Sequence, residues 1–251
     1  MKFEKYHGLG NDFLITEDLT LINNPEFIKK ICNRYTGIGA DGLMIVKKEP
    51  LEMIFFNQDG TRGEMCGNGI RCFSYYCYLH DLVSTDEFDV LTLDGIKHLE
   101  IKDKNPFVVK VDMGKMLDKY DSYCIEFNGK KYQTYNFFFG VPHTVIYTDE
   151  ARSESLGRYI SNHEHFPNKT NVNFVKVNNQ NEIEIITYER GVGFTKACGT
   201  GSCSSFIVSY LLGLVDENVI VKQELGSLKI TKENNRIYME GPSIKVGEII
   251  I

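Results

Sequence analysis

Two cysteines are each followed by a glycine-rich turn, a combination that can support several kinds of chemistry. The stretches are Cys66-Gly-Asn-Gly69 and Cys198-Gly-Thr-Gly201, an offset of 132 residues (198 minus 66). A thiol among glycines is compatible with a disulfide, a metal knuckle, an anion cradle or a reactive cysteine. The neighbouring residues and the predicted elements help to choose among these.

Each stretch precedes a long apolar segment, residues 70–79 and 206–215, and both segments are predicted to form buried helices. The first N–H groups of a helix have no intrahelical partner and carry the positive end of its dipole. They therefore bind anions and lower the pKa of a thiol held there. Cys66 and Cys198 become candidate thiolates, although a single such motif is equally compatible with an inert cysteine at a helix start.

Two copies of the motif support a more specific prediction than a single copy does. If the two halves of the chain face each other, two thiols lie on opposite sides of a bound molecule, and amide donors from both helices hold its anionic group. One thiolate can then remove a proton from one face of a carbon while a thiol delivers a proton to the other face. Preorganised amides supply the charge stabilisation that a carbon acid needs, so the pair predicts stereoinversion without a cofactor.

All of the cysteines in the chain are predicted to be reduced. There are seven, an odd number, and a chain of 251 residues needs no disulfide. Cys66 and Cys72 are too far apart for a zinc knuckle, and no second pair matches them, so no metal is expected. Cys72, Cys77 and Cys203 lie deeper in the predicted helices and are expected to pack as small apolar residues.

Composition excludes several classes of function. The net charge is −6, and basic residues are not interleaved with aromatic ones, which disfavours a nucleic-acid partner. The N-terminal residues lack the apolar core of a signal peptide, and the longest apolar run, residues 206–215, is about half of a membrane span. We therefore expect a cytoplasmic protein without a membrane partner.

The chain contains an internal repeat. The segment that ends at Asn57 matches the segment that ends at Glu189 by the same offset of 132, and Gly10-Asn-Asp-Phe13 pairs with Gly140-Val-Pro-His143 at an offset of 130. Duplication of one α/β unit explains both correspondences. Further helices are expected over residues 25–35, with Tyr35 on the apolar face, and over residues 153–163.

The predicted fold is α+β, with two pseudo-symmetric domains, each a curved and mostly antiparallel sheet around a central helix, and the active site in the cleft between them. The domains are residues 1–117 and 118–242, with a final strand at 243–251 returning to the first. Further strands are predicted at residues 2–6, 13–16, 43–47, 53–56, 88–93, 97–101, 108–111, 132–139, 144–147, 172–177, 183–188, 219–221, 227–230 and 237–239.

Six motifs together resemble the diaminopimelate epimerase family, which inverts an amino-acid α-carbon without pyridoxal phosphate. They extend over nearly the whole chain in the family's order. The motifs are His7-Gly-Leu-Gly-Asn-Asp-Phe13, Gly37-Ile-Gly-Ala-Asp-Gly42, Phe56-Asn-Gln-Asp-Gly60, Met65-Cys-Gly-Asn-Gly-Ile-Arg-Cys72, Tyr188-Glu-Arg-Gly191 and Ala197-Cys-Gly-Thr-Gly201.

The resemblance implies a role for particular residues. Cys66 and Cys198 are the acid/base pair, and the partner is a small-molecule amino-acid substrate bound without a cofactor. The amides of Gly67, Asn68, Gly199 and Thr200 hold the reacting carboxylate. Asn11 and Glu189 lie near the α-ammonium group, whereas Asn57, Asn171 and Arg190 contact the distal end. A zwitterion with a second carboxylate would be complementary to an acidic group and an arginine. Glu189 and Arg190 would also fit an exposed ion pair.

One position departs from the family. Where the family has Gly-Asn-Pro-His, this chain has Gly140-Val-Pro-His143, so an amide in the substrate pocket is replaced by an apolar Val141. Loss of a polar contact can change the substrate, so histidine, lanthionine or another amino acid remains an alternative to diaminopimelate. His143 either assists a thiol as a local base or only satisfies a strand end.

Two other functions fit part of the sequence pattern. A cysteine hydrolase would need one thiol with its own histidine and would leave the second motif unexplained. A binding module would need the amides but not both thiols. The sequence leaves the oligomeric state open, with a homodimer as one alternative.

Overall fold

The computed structural model describes residues 1–148 and 152–251, which divide into two compact units. One unit contains Met1–Met113 and Glu240–Ile251, and the other contains Gly114–Met239. The sequence-based boundaries lie three or four residues later. Within these residues, no helix is long and apolar enough to cross a membrane.

The elements follow the order expected of a duplicated unit. The strands are β1 (Lys2–Gly8), β2 (Asn11–Thr16), β3 (Gly42–Lys47), β4 (Glu52–Asn57), β5 (Glu87–Thr92), β6 (Gly95–Lys104), β7 (Phe107–Lys115), β8 (Asp121–Phe127), β9 (Lys130–Phe139), β10 (Val141–Tyr147), β11 (Asn171–Asn179), β12 (Glu182–Glu189), β13 (Gly193–Thr195), β14 (Asn218–Gln223), β15 (Gly226–Glu233), β16 (Arg236–Pro242) and β17 (Ile244–Ile250). The helices are α1 (Pro25–Cys32), α2 (Gly67–Leu79), α3 (Glu154–Ser161) and α4 (Gly199–Leu211), and a short 3-10 turn covers Leu19–Asn23.

Strand pairing repeats between the units. In the first, β17–β1 and β1–β2 are antiparallel, β2–β3 is parallel, β3–β4 is antiparallel and β4–β5 is parallel. In the second, β8–β9 and β9–β10 are antiparallel, β10–β11 is parallel, β11–β12 is antiparallel and β12–β14 is parallel. The strand β17 is therefore the counterpart of β8, which explains why the last strand returns to β1.

One helix packs against the sheet of each unit. The helix α2 contacts β1, β2 and β17, and α4 contacts β9, β10, β11, β12, β14 and β15. Both helices begin directly after their cysteine, as predicted. On the other side, α1 and α3 bury their apolar faces in separate clusters. The first cluster includes Phe3, Leu14, Ile28, Leu43 and Phe56, and the second includes Ile125, Leu156, Ile160, Phe174 and Tyr188.

Two predicted helix ends were wrong, and local hydrogen bonds explain both. The helix α1 stops at Cys32 because the Asn33 side chain accepts from the backbone N–H groups of Tyr35 and Thr36, both at 2.9 Å. Tyr35 is consequently 97% exposed rather than packed. The helix α4 stops at Leu211, not at residue 215, because Gly213 takes a left-handed conformation (φ +71°) that ends the helix.

Candidate active site

In the first unit, Cys66 is the N-cap of α2. Its backbone is extended (φ −131°, ψ 120°), and the Gly69 N–H donates to its Sγ at 3.4 Å. The cysteine thus takes the place that serine or aspartate occupies in an ordinary helix cap. A sulfur held in this position lies at the positive end of the helix dipole, where a thiolate is stabilised.

Side chains from two other motifs reach the same helix start. The Cys66 thiol donates to Asn11 Oδ1 at 3.8 Å, and Asn68 Nδ2 donates to the same oxygen at 3.1 Å. Asn11 begins β2, directly after a tight turn in which Leu9 and Gly10 both have positive φ angles, 55° and 86°. The unit therefore brings together three of the predicted site residues.

Sequence analysis did not assign a role to two further residues of this group. Arg71 is fully buried and donates to Asn68 Oδ1 at 3.0 Å, while Asn11 Nδ2 donates to Asp41 Oδ2 at 2.5 Å. A signal for Arg71 was present, since it is the only charged residue in the apolar segment 70–79. Asp41 lies in a quoted motif, but nothing in the sequence connected it with Asn11.

In the second unit, Cys198 caps α4 in the same way. Its backbone angles are −134° and 111°, and the Gly201 N–H donates to its Sγ at 3.3 Å. The Thr200 hydroxyl lies 3.6 Å from the sulfur, and the backbone N–H of Cys198 donates to Gln223 Oε1 at 2.7 Å. Cys198 is 6% exposed and is therefore a buried residue.

A side chain at Gly201 would disrupt this cap. A Cβ on Gly201 would lie 2.5 Å from Asn173 Oδ1 and 3.1 Å from both Cys198 Sγ and Thr187 Oγ1. The helix start therefore approaches β11 and β12 as closely as a backbone without a side chain permits. The glycine is required by packing around the sulfur.

The predicted distal-end residues occupy strand ends. Asn57 is the last residue of β4, and its Nδ2 donates to Thr61 Oγ1 at 3.0 Å. Asn171 begins β11, and its Oδ1 accepts from the Arg190 backbone N–H at 3.0 Å. The two residues therefore stand at strand ends in different units, Asn171 next to Arg190.

Glu189, the positional twin of Asn57, is the last residue of β12. Its Oε1 accepts from Thr195 Oγ1 at 2.7 Å, and Arg190 Nη1 donates to the Asn168 carbonyl at 3.0 Å. Hydrogen bonds thus hold both charged side chains.

His143 is buried and neutral. Its side chain is 1% exposed, its Nδ1 faces Asn173 Nδ2 at 3.1 Å, and desolvation together with the nearby Arg190 charge lowers its pKa to about 3. A base this weak does not retain a thiol proton at neutral pH, which favours the structural interpretation of His143. The neighbouring Val141 begins β10, as Asn11 begins β2.

The other helical cysteines are shielded. Cys72, Cys77 and Cys203 are all fully buried, and burial raises the pKa of Cys72 to about 12 and that of Cys77 still further. The Cys72 and Cys77 thiols therefore stay protonated and unreactive at neutral pH. Among residues 1–148 and 152–251, no group of three or more histidine, cysteine, aspartate or glutamate side chains could hold a metal ion.

Comparison with known proteins identifies close sequence relatives. The family model described as diaminopimelate epimerase matches residues 3–117 and 136–246. A diaminopimelate epimerase of Clostridium perfringens (strain 13 / Type A) is 42% identical and aligns over 96% of both chains. One from Alkaliphilus metalliredigens (strain QYMF) is 43% identical over 97% of this chain and 94% of its own.

Solved structures share the fold at much lower identity. A phenazine biosynthesis protein of the PhzF family from Bacillus anthracis superposes with a TM-score of 0.75 and 14% identity, covering all of both chains. Together with the repeated strand order, this likeness confirms the predicted α+β class of two similar sheet-and-helix domains.

Proposed function

The chain belongs to the diaminopimelate epimerase family and is an isomerase, and from this premise we propose that Cys66 and Cys198 are its two acid/base groups. The reaction inverts the α-carbon that distinguishes LL- from meso-diaminopimelate, and it needs no cofactor. In each turnover, one thiolate removes the α-hydrogen as a proton. The other thiol then donates its S–H proton to the opposite face, so the two cysteines exchange protonation states.

The observation that carries this proposal is the equivalent placement of the two sulfurs. Each is the N-cap of a buried helix and accepts from the backbone N–H three residues further on. Charge that develops on the substrate carboxylate is stabilised by the amides of Gly67 and Asn68 at one helix start and of Gly199 and Thr200 at the other. Preorganised amides of this kind are commonly the largest catalytic contribution that a protein makes.

The remaining residues are assigned to substrate recognition. Asn11 and Glu189 bind the α-ammonium group, and Asn57, Asn171 and Arg190 bind the distal end. The bond from the Arg190 backbone to Asn171 supports this assignment because it fixes an amide and a guanidinium-bearing loop together. A planar guanidinium suits the second carboxylate of diaminopimelate.

Val141 gives one reason to test other substrates. The family has an amide side chain at this position, and an isopropyl group cannot make its hydrogen bond. Losing such a bond can change which substrate the enzyme prefers. Histidine and lanthionine therefore belong in the substrate panel beside diaminopimelate. Exchange confined to either of these would assign the enzyme to a different substrate with the same chemistry.

The test is inversion and α-hydrogen exchange in deuterated water. Diaminopimelate should exchange and invert, and Cys66→Ala and Cys198→Ala should each reduce inversion by at least about 100-fold. Cys124→Ala is the matched control, since this cysteine is exposed and lies outside both caps. Retention of inversion in both cap variants would rule out the two-thiol mechanism.

The proposal extends to assembly and location. Ile244, Val246 and Ile250 alternate along β17 and are 51%, 58% and 82% exposed. Apolar side chains lined up on one strand suit an interface between two copies of the chain, so we expect a homodimer. Sedimentation should give a dimer for the native protein and a monomer for Val246→Lys, and a monomeric native protein would contradict this expectation.

Because the mechanism requires reduced thiols, the cytoplasm is the expected compartment.

A further inference from the structure

A glutamine of the second unit joins the strand β14 to the start of the helix α4. Gln223 is the last residue of β14, and its Oε1 accepts from the backbone N–H of Cys198 at 2.7 Å. The bond therefore ties the cap residue of the helix to a strand of the surrounding sheet. Sequence analysis assigned no role to Gln223.

This contact fixes the orientation of the glutamine amide. A backbone N–H can only donate, so the amide turns its oxygen toward Cys198 and its nitrogen away from that N–H. The Nε2 atom of Gln223 is buried and has no hydrogen-bond partner among residues 1–148 and 152–251. A buried donor without a partner costs stability, so packing alone would favour an apolar side chain at this place. The presence of glutamine is explained by its oxygen.

The backbone of Cys198 is held on both sides of its α-carbon. Its N–H donates to Gln223, and its carbonyl accepts from the Ser202 N–H at 3.0 Å and from the Ser202 hydroxyl at 2.8 Å. The Ser202 bonds come from within α4, whereas the Gln223 bond comes from outside the helix. Together they fix the extended backbone of Cys198, and with it the direction of the bond that carries the sulfur.

A second contact connects the same two segments. Glu224, the next residue after Gln223, accepts from Lys196 and also from Arg152 at 2.9 Å. Lys196 lies two residues before Cys198, in the connection from β13 to α4. The Lys196 side chain is 57% exposed, and exposed ion pairs contribute little. The neutral bond from Cys198 to Gln223 is therefore expected to carry more of the constraint on the cap.

The first unit has a shorter side chain at the equivalent place. Thr92 ends β5 as Gln223 ends β14, and these two strands run parallel to the equivalent strands β4 and β12. The Thr92 hydroxyl donates to the Gly95 carbonyl at 2.7 Å, within its own hairpin. The longer amide that reaches a helix start is thus a feature of the second unit.

We propose that Gln223 is a positioning residue for the reaction, which holds the Cys198 sulfur at the start of α4 through the peptide N–H of that cysteine. Proton transfer needs the sulfur close to the α-carbon and aligned with its hydrogen, and a displacement of about 1 Å can cost about 100-fold in rate. Gln223 acts through Cys198 and transfers no proton itself. The inference rests on the proposed acid/base role of Cys198.

A neutral acceptor suits this place. A carboxylate would accept from the same N–H, but its charge would stand close to the sulfur and disfavour the thiolate. The adjacent carboxylate, Glu224, is already paired with Lys196 and Arg152. Replacing Gln223 by glutamate therefore separates the two properties of the side chain, because it keeps the hydrogen bond and adds a charge.

The first test compares two variants in the inversion assay, with the substrate that the native protein inverts. Gln223→Met keeps the length of the side chain but removes the acceptor, so kcat should fall by at least about 10-fold while KM changes by less than about threefold. Gln223→Glu keeps the acceptor and should retain kcat within about threefold at its own pH optimum. The same two substitutions at Gln180, which is exposed in the turn between β11 and β12, are the matched controls and should leave kcat unchanged.

The second test needs no substrate and measures the ionisation of Cys198 in the full chain. The rate of iodoacetamide alkylation at Cys198 is followed against pH by peptide mass spectrometry, with the exposed Cys124 as an internal reference. Gln223→Glu should raise the midpoint by about one pH unit, a roughly tenfold lower rate below the midpoint. Urea denaturation of each variant checks that it is folded, and if Gln223→Met is not, the alkylation midpoint of Gln223→Glu decides alone.

Three outcomes would overturn the inference: a kcat of Gln223→Met within about threefold of the native value, an equal loss of kcat in both variants, or a Cys198 midpoint that does not rise in Gln223→Glu. Each can occur while Cys198→Ala still abolishes inversion, in which case the proposed function stands and the positioning role is wrong. If Cys198→Ala retains inversion, the proposed function itself fails, whatever the Gln223 variants do.

Discussion

The buried histidine of the second unit should make the protein lose stability in mild acid. The pKa of His143 is about 3 in the folded chain because of burial and the Arg190 charge, and about 6.5 in the unfolded chain. Between these values the unfolded state binds the extra proton. The contribution of a neutral His143 is therefore fully present above pH 6.5 and is lost as the pH falls toward 3.

The size of the effect follows from the two pKa values. Between pH 8 and pH 5 this histidine lowers the free energy of unfolding by about 2 kcal/mol. At pH 5 the histidine is protonated in nearly all unfolded molecules and in almost no folded molecule. The value is insensitive to the folded pKa as long as that pKa lies well below 5. The perturbation that isolates it is His143→Phe, which installs the residue found at the equivalent position of the first unit, Phe13.

The assay is urea denaturation of the native protein and of His143→Phe at pH 8, 7, 6 and 5. The variant carries a cost at every pH, since Asn173 loses an acceptor and keeps its bond to the Thr144 carbonyl. The free-energy difference between the two proteins should change by about 2 kcal/mol in favour of the variant between pH 8 and pH 5. Parallel curves, differing by less than about 0.5 kcal/mol over this range, would refute a neutral buried His143.

Two further predictions concern the helix starts. Gly201→Ala should lower the free energy of unfolding by about 1–3 kcal/mol, because its Cβ would meet Asn173 Oδ1 at 2.5 Å. The control is Gly247→Ala, where a Cβ meets nothing within 4 Å. Equal melting temperatures for the two variants in thermal denaturation would contradict the clash. Arg71→Lys retains the charge but not the planar guanidinium, so buried oxygens lose their donors and the free energy of unfolding should fall by at least about 2 kcal/mol in urea denaturation. A decrease below about 0.5 kcal/mol would mean that a point charge suffices at this position.

Much of this fold could be predicted because the two duplicated units carry similar sequence patterns. The apolar runs of β3 and β4 are continuous, and the segment that ends β4 at Asn57 recurs in the segment that ends β12 at Glu189. The strands that escaped prediction were β8 and β13. In β8, Ile125 is buried but its neighbours Cys124 and Glu126 are exposed, so only a weak alternation reports the strand. The three residues of β13 are too few to form a pattern.

The position of each cysteine at a helix start could be predicted, but the side chains that bond around Cys66 could not. Composition and spacing place each thiol at a helix start, since glycines and an apolar segment follow it directly. A chain of hydrogen bonds joins Asp41, Asn11, Asn68 and Arg71, which come from three separate stretches of sequence. Hydrogen bonds between distant side chains leave no periodicity, so their direction is visible only in the structure.

Duplication alone would give two equal thiols, whereas inversion in a given direction needs one base and one acid. Three pairs of equivalent residues differ between the two helix starts: Asn11 and Val141, Asn68 and Thr200, and Arg71 and Cys203. The backbone cap is the same in both units, with one N–H on each sulfur at 3.4 and 3.3 Å. Any difference in ionisation between the two thiols therefore has to come from groups other than this shared cap.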